Sequence, residues 1–326
     1  MELSEANLHA LDRANNPLAD MANSVLVIGA GELGLAVLEA LAAHPKRSGV
    51  RLAVLLRQAT LDSAAPEKRQ KIAHLQKLHV HFEAADVELA SSEQLAPIFG
   101  RYHTVVSCTG MELPSGTQTK LCKAALAGGV KRYFPWQFGM DYDIIGEGSS
   151  QDLFDEQLDV RKMLRAQQDM DWVIVSTGLF MSFLFLAAFG VVDLPERTVR
   201  ALGSWENRIT LTTPEDIGRV TAEVVLDPRE VPRQVVFVAG DTVSYAEVAD
   251  ILRAHYGADK PFTKELWDLE TLGAQLREDP SVMVKYRETF AHGVGVAWDM
   301  DCTVNKERGM EMTDVRRYLS EVIDKK

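Results

Sequence analysis

The stretch VLVIGAGELG, residues 25–34, decides the fold. Four apolar residues, Val25 to Ile28, run straight into Gly29-Ala30-Gly31-Glu32-Leu33-Gly34, and an Ala/Leu-rich run from Leu35 to Ala43 follows. A strand, a G-x-G-x-x-G turn and a helix in that order form a dinucleotide-binding fingerprint. The first glycine permits the tight turn, the second lets a diphosphate approach the backbone, and the third lets the helix pack closely on the strand. The helix start adds unpaired N–H groups and a positive dipole end. The sequence therefore predicts that Gly29, Ala30, Gly31, Glu32, Leu33 and Gly34 cradle a cofactor. A turn that binds nothing is the competing explanation.

Outward from this turn, strands alternate with helices. Strands are expected at 51–56, 79–86, 103–110, within 131–139, at 171–178 and at 234–240. Helical stretches are expected at 61–78, 91–99, 117–128 and 150–167. Such alternation predicts an α/β fold with a Rossmann-type, doubly wound parallel sheet. The strands' C-terminal ends then share one edge, where ligands bind. That edge collects Arg57, Thr60, Thr109, Gly110, Trp136, Gln137, Phe138 and Ser176 to Gly178. No carboxylate follows the strand at 51–56 to hold the adenosine ribose; Arg57 stands there instead. Its planar fork suits a 2′-phosphate, which favours NADP(H) over NAD. Arg57 lying over an adenine or facing water is the alternative. The domains expected are an N-terminal extension at 1–22, a nucleotide-binding domain at 23–178 with 206–240 returning to it, and a smaller α/β substrate domain from 179–205 and 241–326 packed against it. Segment 206–227 reads as strand, turn and helix, and the chain beyond Thr242 as mostly helical.

The chain has 326 residues, net charge −12, 46 % hydrophobic and 25 % charged residues. Acidity disfavours nucleic-acid partners; the densest basic run, Lys68-Arg69-Gln70-Lys71, is short. Three cysteines without regular spacing suit neither a disulfide scaffold nor a zinc site, and fit the reducing cytoplasm. His79 and His81 lack a third ligand nearby, so no metal site is expected. Residues 172–192 carry no charge, yet Ser176-Thr177-Gly178 divides them into a buried strand and an aromatic-rich helix rather than a membrane span. Residues 1–22 have no secretory pattern. Asp86 is read as a turn acid, Cys108 as a buried thiol, and Thr213-Pro214-Glu215-Asp216 as a helix start. Gly293 to Trp298 is read as a segment that could cover a substrate crevice.

The segments VLVIGAGELG, LLRQAT, YFPWQFGMD, LFDEQLDVRKMLRAQ and TTPEDIG occur in the order seen in NmrA-like and isoflavone reductase-like proteins, atypical short-chain reductases. The chain resembles that family from about residue 24 to about residue 270, with PWQFGMDYDIIGEGS the most specific piece. The resemblance implies an NADP(H)-type Rossmann domain and a smaller substrate domain; the expected substrate is a small aromatic or polyketide-like molecule, and the aromatic residues Trp136, Phe138, Phe180 and Phe183 are read as its contacts, with a place in the core as the alternative. Plant members carry G-x-T-G-x-x-G, one residue longer than the turn here. Family reductases also carry a catalytic lysine in Phe-x-x-Lys-x-x-x-Arg. Here Gln157 stands in its place between Phe154 and Arg161, and glutamine is neither acid nor base near neutral pH. The Tyr-x-x-x-Lys pair of ordinary short-chain dehydrogenases is expected to be absent: Val106 follows Tyr102 at that spacing, and Gly146 follows Tyr142.

Two functions stay open. In one, the chain is a reductase: Gln157 orients the substrate, and the proton comes from Tyr142, water or a ribose hydroxyl. In the other, it binds NADP(H) without chemistry, as a redox-sensing module for a protein partner. A homodimer is compatible with either.

Overall fold

The computed structural model describes residues 23–229, 231–257, 259 and 261–325. The expected extension at 1–22 lies outside them. In chain order the elements that matter are β1 (Ser24–Ile28), α1 (Glu32–Ala43), β2 (Arg51–Leu56), α2 (Pro66–Lys77), β3 (His81–Ala84), α3 (Ser92–Phe99), β4 (Thr104–Ser107), α4 (Thr117–Ala127), β5 (Arg132–Phe134), α5 (Leu153–Arg165), β6 (Asp171–Ser176), β7 (Leu179–Phe180), β8 (Val192–Asp193), β9 (Thr198–Leu202), β10 (Arg208–Thr212), α6 (Pro214–Leu226), β11 (Gln234–Phe237), β12 (Asp241–Ser244), α7 (Tyr245–Tyr256), β13 (Thr263–Trp267), α8 (Leu269–Glu278) and α9 (Val282–Ala291).

Seven strands form one sheet in the order β11-β6-β5-β4-β1-β2-β3. This is the strand order of a doubly wound nucleotide-binding fold, extended at one edge by β11. β1 lies parallel to both neighbours, with Val27 beside Val54 of β2 and Val106 of β4. Every residue of β1 and β4 is buried. Buried strands of this kind read as unbroken apolar runs rather than alternating ones, which is why VLVI and LAVLL were legible.

The chain divides into two compact units. The first reaches to Trp136 and takes in Lys162–Val173 and Thr221–Gln234. Its core is filled by Leu26, Leu38, Leu52, Val54, Phe99, Val105, Tyr133 and Phe134. The second comprises Gln137–Arg161, Ile174–Val220 and the chain from Val235. It holds two three-stranded sheets, β12-β10-β7 and β13-β9-β8. Their core gathers Phe154, Leu184, Phe189, Ile209, Tyr245 and Phe290.

In the second unit, two acids hold the last part of the chain. Thr213 caps α6 through the Asp216 N–H at 3.2 Å, and buried Asp216 accepts from the Thr313 N–H at 2.7 Å. Asp241 accepts from the Val315 N–H at 3.1 Å. Burial raises the Asp241 pKa, partly offset by that bond.

Several boundaries differ from expectation. β3 spans His81–Ala84, not 79–86, and His79 occupies a left-handed turn (φ 56) after α2. The two histidines therefore do not alternate along one strand. β4 is likewise shorter than 103–110. The region beyond Thr242 is mostly helical, as expected, but DTVS and TKELW form β12 and β13, too short and polar to show a strand period. Segment 172–192 splits into β6, β7, a single helical turn at Met181–Leu184 and β8. No described helix is long and apolar enough to cross a membrane.

The α1–turn contact leaves no room for a side chain at Gly34. A Cβ on Gly34 would lie 2.2 Å from the Gly29 carbonyl oxygen and 3.3 Å from the Cys108 Cβ. Gly34→Ala should therefore destabilise the protein by about 1–3 kcal/mol, the usual range for overpacking. Thermal melting checks this; an unchanged midpoint would contradict the geometry.

Candidate functional site

The glycine turn is built as the fingerprint requires. Gly29 has φ +89, a conformation that L side chains rarely adopt, and its N–H donates to the Leu55 carbonyl at 3.1 Å. That bond ties the turn to the end of β2. Gly31 is the N-cap of α1, and no side chain caps it. A Cβ on Gly31 would meet nothing within 4 Å. The helix therefore starts on open space, with main-chain donors and a dipole end unshielded, as an anion requires. Ala30 and Leu33 are buried beneath the turn, and Glu32 is exposed in the first helical turn. The Cys108 N–H donates to the Ile28 carbonyl at 3.0 Å, which sets Thr109 beside Gly29.

Arg57 follows β2, caps the short helix Gln58–Leu61 and is exposed. Among the described residues its guanidinium has no ion-pair or hydrogen-bond partner. Half-buried Thr60 donates its N–H to the Arg57 carbonyl at 2.8 Å. Lys71 of α2 was missed as a site residue: its Nζ donates to the Ala30 carbonyl at 2.9 Å. Its only sequence signal was membership of the short basic run. Beyond β4, a Cβ on Gly110 would fall 2.1 Å from the Trp136 indole, so Trp136 lies against bare backbone. Burial raises the Cys108 pKa and keeps the thiol protonated. Asp86 Oδ1 accepts from the Glu88 N–H at 2.9 Å, as a turn acid does.

In the second unit, the residues of the Phe154…Arg161 motif form a buried polar cluster. Arg161, 0 % exposed, donates from Nη1 to Asp143 at 2.7 Å and to Asp141 at 3.3 Å. Its Nε donates to Gln137 Oε1 at 2.8 Å, and its guanidinium carbon lies 5.2 Å from the Tyr142 ring centroid. Gln137 Nε2 donates in turn to the Gln157 carbonyl at 2.8 Å. Both polar ends of Gln137 are thus engaged inside this unit. Among the described residues, the Gln157 side chain, 1 % exposed, has no hydrogen-bond partner at either Oε1 or Nε2, and Arg161 Nη2 is also unpartnered.

Tyr142 packs against Phe154 with centroids 4.8 Å apart and the rings tilted by 56°, and a Cβ on Gly139 would lie 2.3 Å from its hydroxyl. Burial pushes its pKa up to about 12 against the lowering pull of Arg161. Phe138 is buried, while Phe180 and Phe183 are half-buried and meet edge to face at 6.4 Å. Phe185 stacks on Tyr318. Gly293–Trp298 is fastened along its length: the Gly295 carbonyl takes the Asp141 N–H at 2.9 Å and the Val296 carbonyl takes the Thr210 N–H at 3.0 Å.

Residues 21–319 match the NmrA-like family. The chain belongs to that family. It is 56 % identical over 302 residues to an NmrA-like family domain-containing oxidoreductase of Gibberella moniliformis, a match covering 93 % of this chain and 99 % of that relative. Its fold is similar to a solved isoflavone reductase, with TM-score 0.75, 22 % identity, and 92 % and 99 % of the two chains covered. It is also similar to AtPrR2 solved with NADP+ and (+)-pinoresinol, with TM-score 0.74, 19 % identity, and 91 % and 97 % covered.

Within the NmrA-like family's motif, this chain carries an amide where a titratable lysine is implied. The expected absence of Tyr-x-x-x-Lys needs correction, because Tyr256 and Lys260 have that spacing. Tyr256 ends α7, and its hydroxyl donates to Asp324 at 3.3 Å; Lys260 lies outside the described residues. Among the described residues, no group of three or more His, Cys, Asp or Glu could hold a metal.

Two outcomes follow from the cluster. Gln157→Leu removes two unsatisfied buried polar atoms at similar volume, and should leave the ligand-free protein as stable or about 1 kcal/mol more stable. Chemical denaturation measures this. Tyr142 is neutral in the fold up to about pH 12, whereas an unfolded tyrosine ionises from about pH 10. The unfolded chain then binds fewer protons, so stability falls as pH rises through that window. Tyr142→Phe should make that alkaline loss shallower.

Proposed function

We propose that the chain is an NADP(H)-dependent reductase of the atypical short-chain type. Its substrate would be a small aromatic or polyketide-like molecule with a carbonyl, enone or benzylic centre. One observation carries this most: the uncapped α1 start at Gly31 opens on free space, with exposed Arg57 one strand away. The family's oxidoreductase relative and the NADP+-bound neighbour support the choice of cofactor.

The residues present fit the nucleotide. The N–H groups from Gly31 to Gly34 would hold its diphosphate, and Arg57 its 2′-phosphate. Thr109 and Gly110, at the end of β4, would border its nicotinamide half, and Thr60 would lie beside Arg57. When bound, NADPH supplies the hydride. The chain's own residues then orient the acceptor and exclude water. Region 179–205 and the chain beyond 241 would provide the substrate contacts, Phe180 and Phe183 among them, with Trp136 and Phe138 contributed from the segment after β5. Gln157 would hydrogen-bond the substrate oxygen without giving up a proton, and its main chain is fixed by Gln137 and Arg161. Gln137 serves this fixing role rather than touching the cofactor. Tyr142 retains its proton to high pH and would release it only to a strong base.

A second function is favoured by one feature. Gln157 offers no transferable proton, which suits an NADP(H)-binding sensor of a protein partner.

Arg57→Asp should weaken NADPH binding at least tenfold and NADH binding far less, measured by calorimetry; equal losses would remove Arg57 from the phosphate. Wild-type protein should quench NADPH fluorescence at about one nucleotide per chain. Should a panel of enones and aromatic carbonyls leave bound NADPH unoxidised, the sensor function stands instead.

A further inference from the structure

β13 is the outer strand of the β13-β9-β8 sheet and runs parallel to β9. The Thr263 N–H donates to the Arg197 carbonyl at 2.8 Å, and the Trp267 carbonyl accepts from the Gly203 N–H at 2.8 Å. The odd-numbered residues therefore turn their main-chain groups toward β9. Alternation leaves the N–H and C=O of Lys264 and Leu266 facing outward. No other described strand pairs with that edge. Extended backbone continues to Asp268 (φ −70, ψ 175). Lys264 is exposed, and Leu266 and Leu269 are each 47 % exposed. Edges are usually blunted by charge along their length; here a leucine sits between Lys264 and Asp268.

We propose that this edge docks a second copy of the chain, antiparallel, about a two-fold axis through Leu266. A two-fold axis demands that the same surface serve both copies. It also allows few registers. Centring on Lys264 sets lysine against lysine, and centring on Glu265 sets glutamate against glutamate, both unfavourable. Centring on Leu266 sets leucine against leucine. It also sets Lys264 opposite the partner's Asp268, twice by symmetry. In the same register the outward N–H and C=O of Leu266 exchange bonds with their counterparts, and the Asp268 N–H meets the partner's Lys264 carbonyl. Asp268 Oδ1 caps α8 through the Thr271 N–H at 2.8 Å, which leaves Oδ2 for the lysine. Charge, apolar contact and main-chain bonding thus favour this register over those centred on Lys264 and Glu265.

Sedimentation equilibrium of the full chain, from about 1 to 100 µM, should show a reversible dimer with a micromolar dissociation constant. Leu266→Lys and Leu266→Pro each change the outward side while leaving the β9-facing groups in place. Each should weaken the dimer at least tenfold with unchanged circular dichroism. On wild-type protein, hydrogen exchange at the Leu266 amide should slow as concentration rises. A monomer throughout the range, a dimer that survives in both variants, or Leu266 exchange independent of concentration overturns the proposal. If one variant fails to fold the other decides, and if both fail the wild-type exchange decides.

Discussion

The first unit depends on how closely α1 can approach the turn that precedes it. That approach is possible because Gly34 has no side chain to strike the Gly29 carbonyl, and because Gly29 accepts a left-handed backbone. With the helix seated there, its first N–H groups are presented beyond β1 and cannot retreat into the strand. The bond from Gly29 to Leu55 carries the constraint to β2, so the position of Arg57 follows from the same contact. The open start of α1 is the direct result of a packing requirement.

The second unit rests on a different balance. Arg161 is fully buried, and its charge is met by Asp141, Asp143 and the amide of Gln137. A buried guanidinium of this kind is tolerated only with its partners in place; losing one leaves an uncompensated charge. Beside these bonds the Gln157 amide and Arg161 Nη2 find no partner among the described residues. Such an arrangement has one well-determined half and one half left for something else to complete.

How much of this the sequence discloses depends on the distance between interacting residues. The glycine turn is local: three spaced glycines between an apolar run and an Ala/Leu run carry their own geometry. Arg57 is legible for the same reason, as the residue after β2. The fate of Gln137 is not, because its partners Gln157 and Arg161 lie 20 and 24 residues away. Lys71 reaches Ala30 across 41 residues, and no local pattern announces that. β12 and β13 escape notice because four or five mixed residues cannot display a two-residue period. Gln157 is the opposite case: the motif flags the substitution plainly, and only the packing shows that its amide is shut in without a partner.

The two acids that hold the end of the chain have a consequence for biosynthesis. Asp216 and Asp241 wait for the N–H groups of Thr313 and Val315, which a ribosome supplies about 70 to 100 residues later. Until then α6 and β12 carry carboxylates with unfilled bonds. β1, β2 and β4, which carry the glycine turn, are synthesised well before those partners, so the second unit is the later of the two to gain its full set of bonds. A protein clipped just before Thr313 would be a folding problem long before it was a catalytic one.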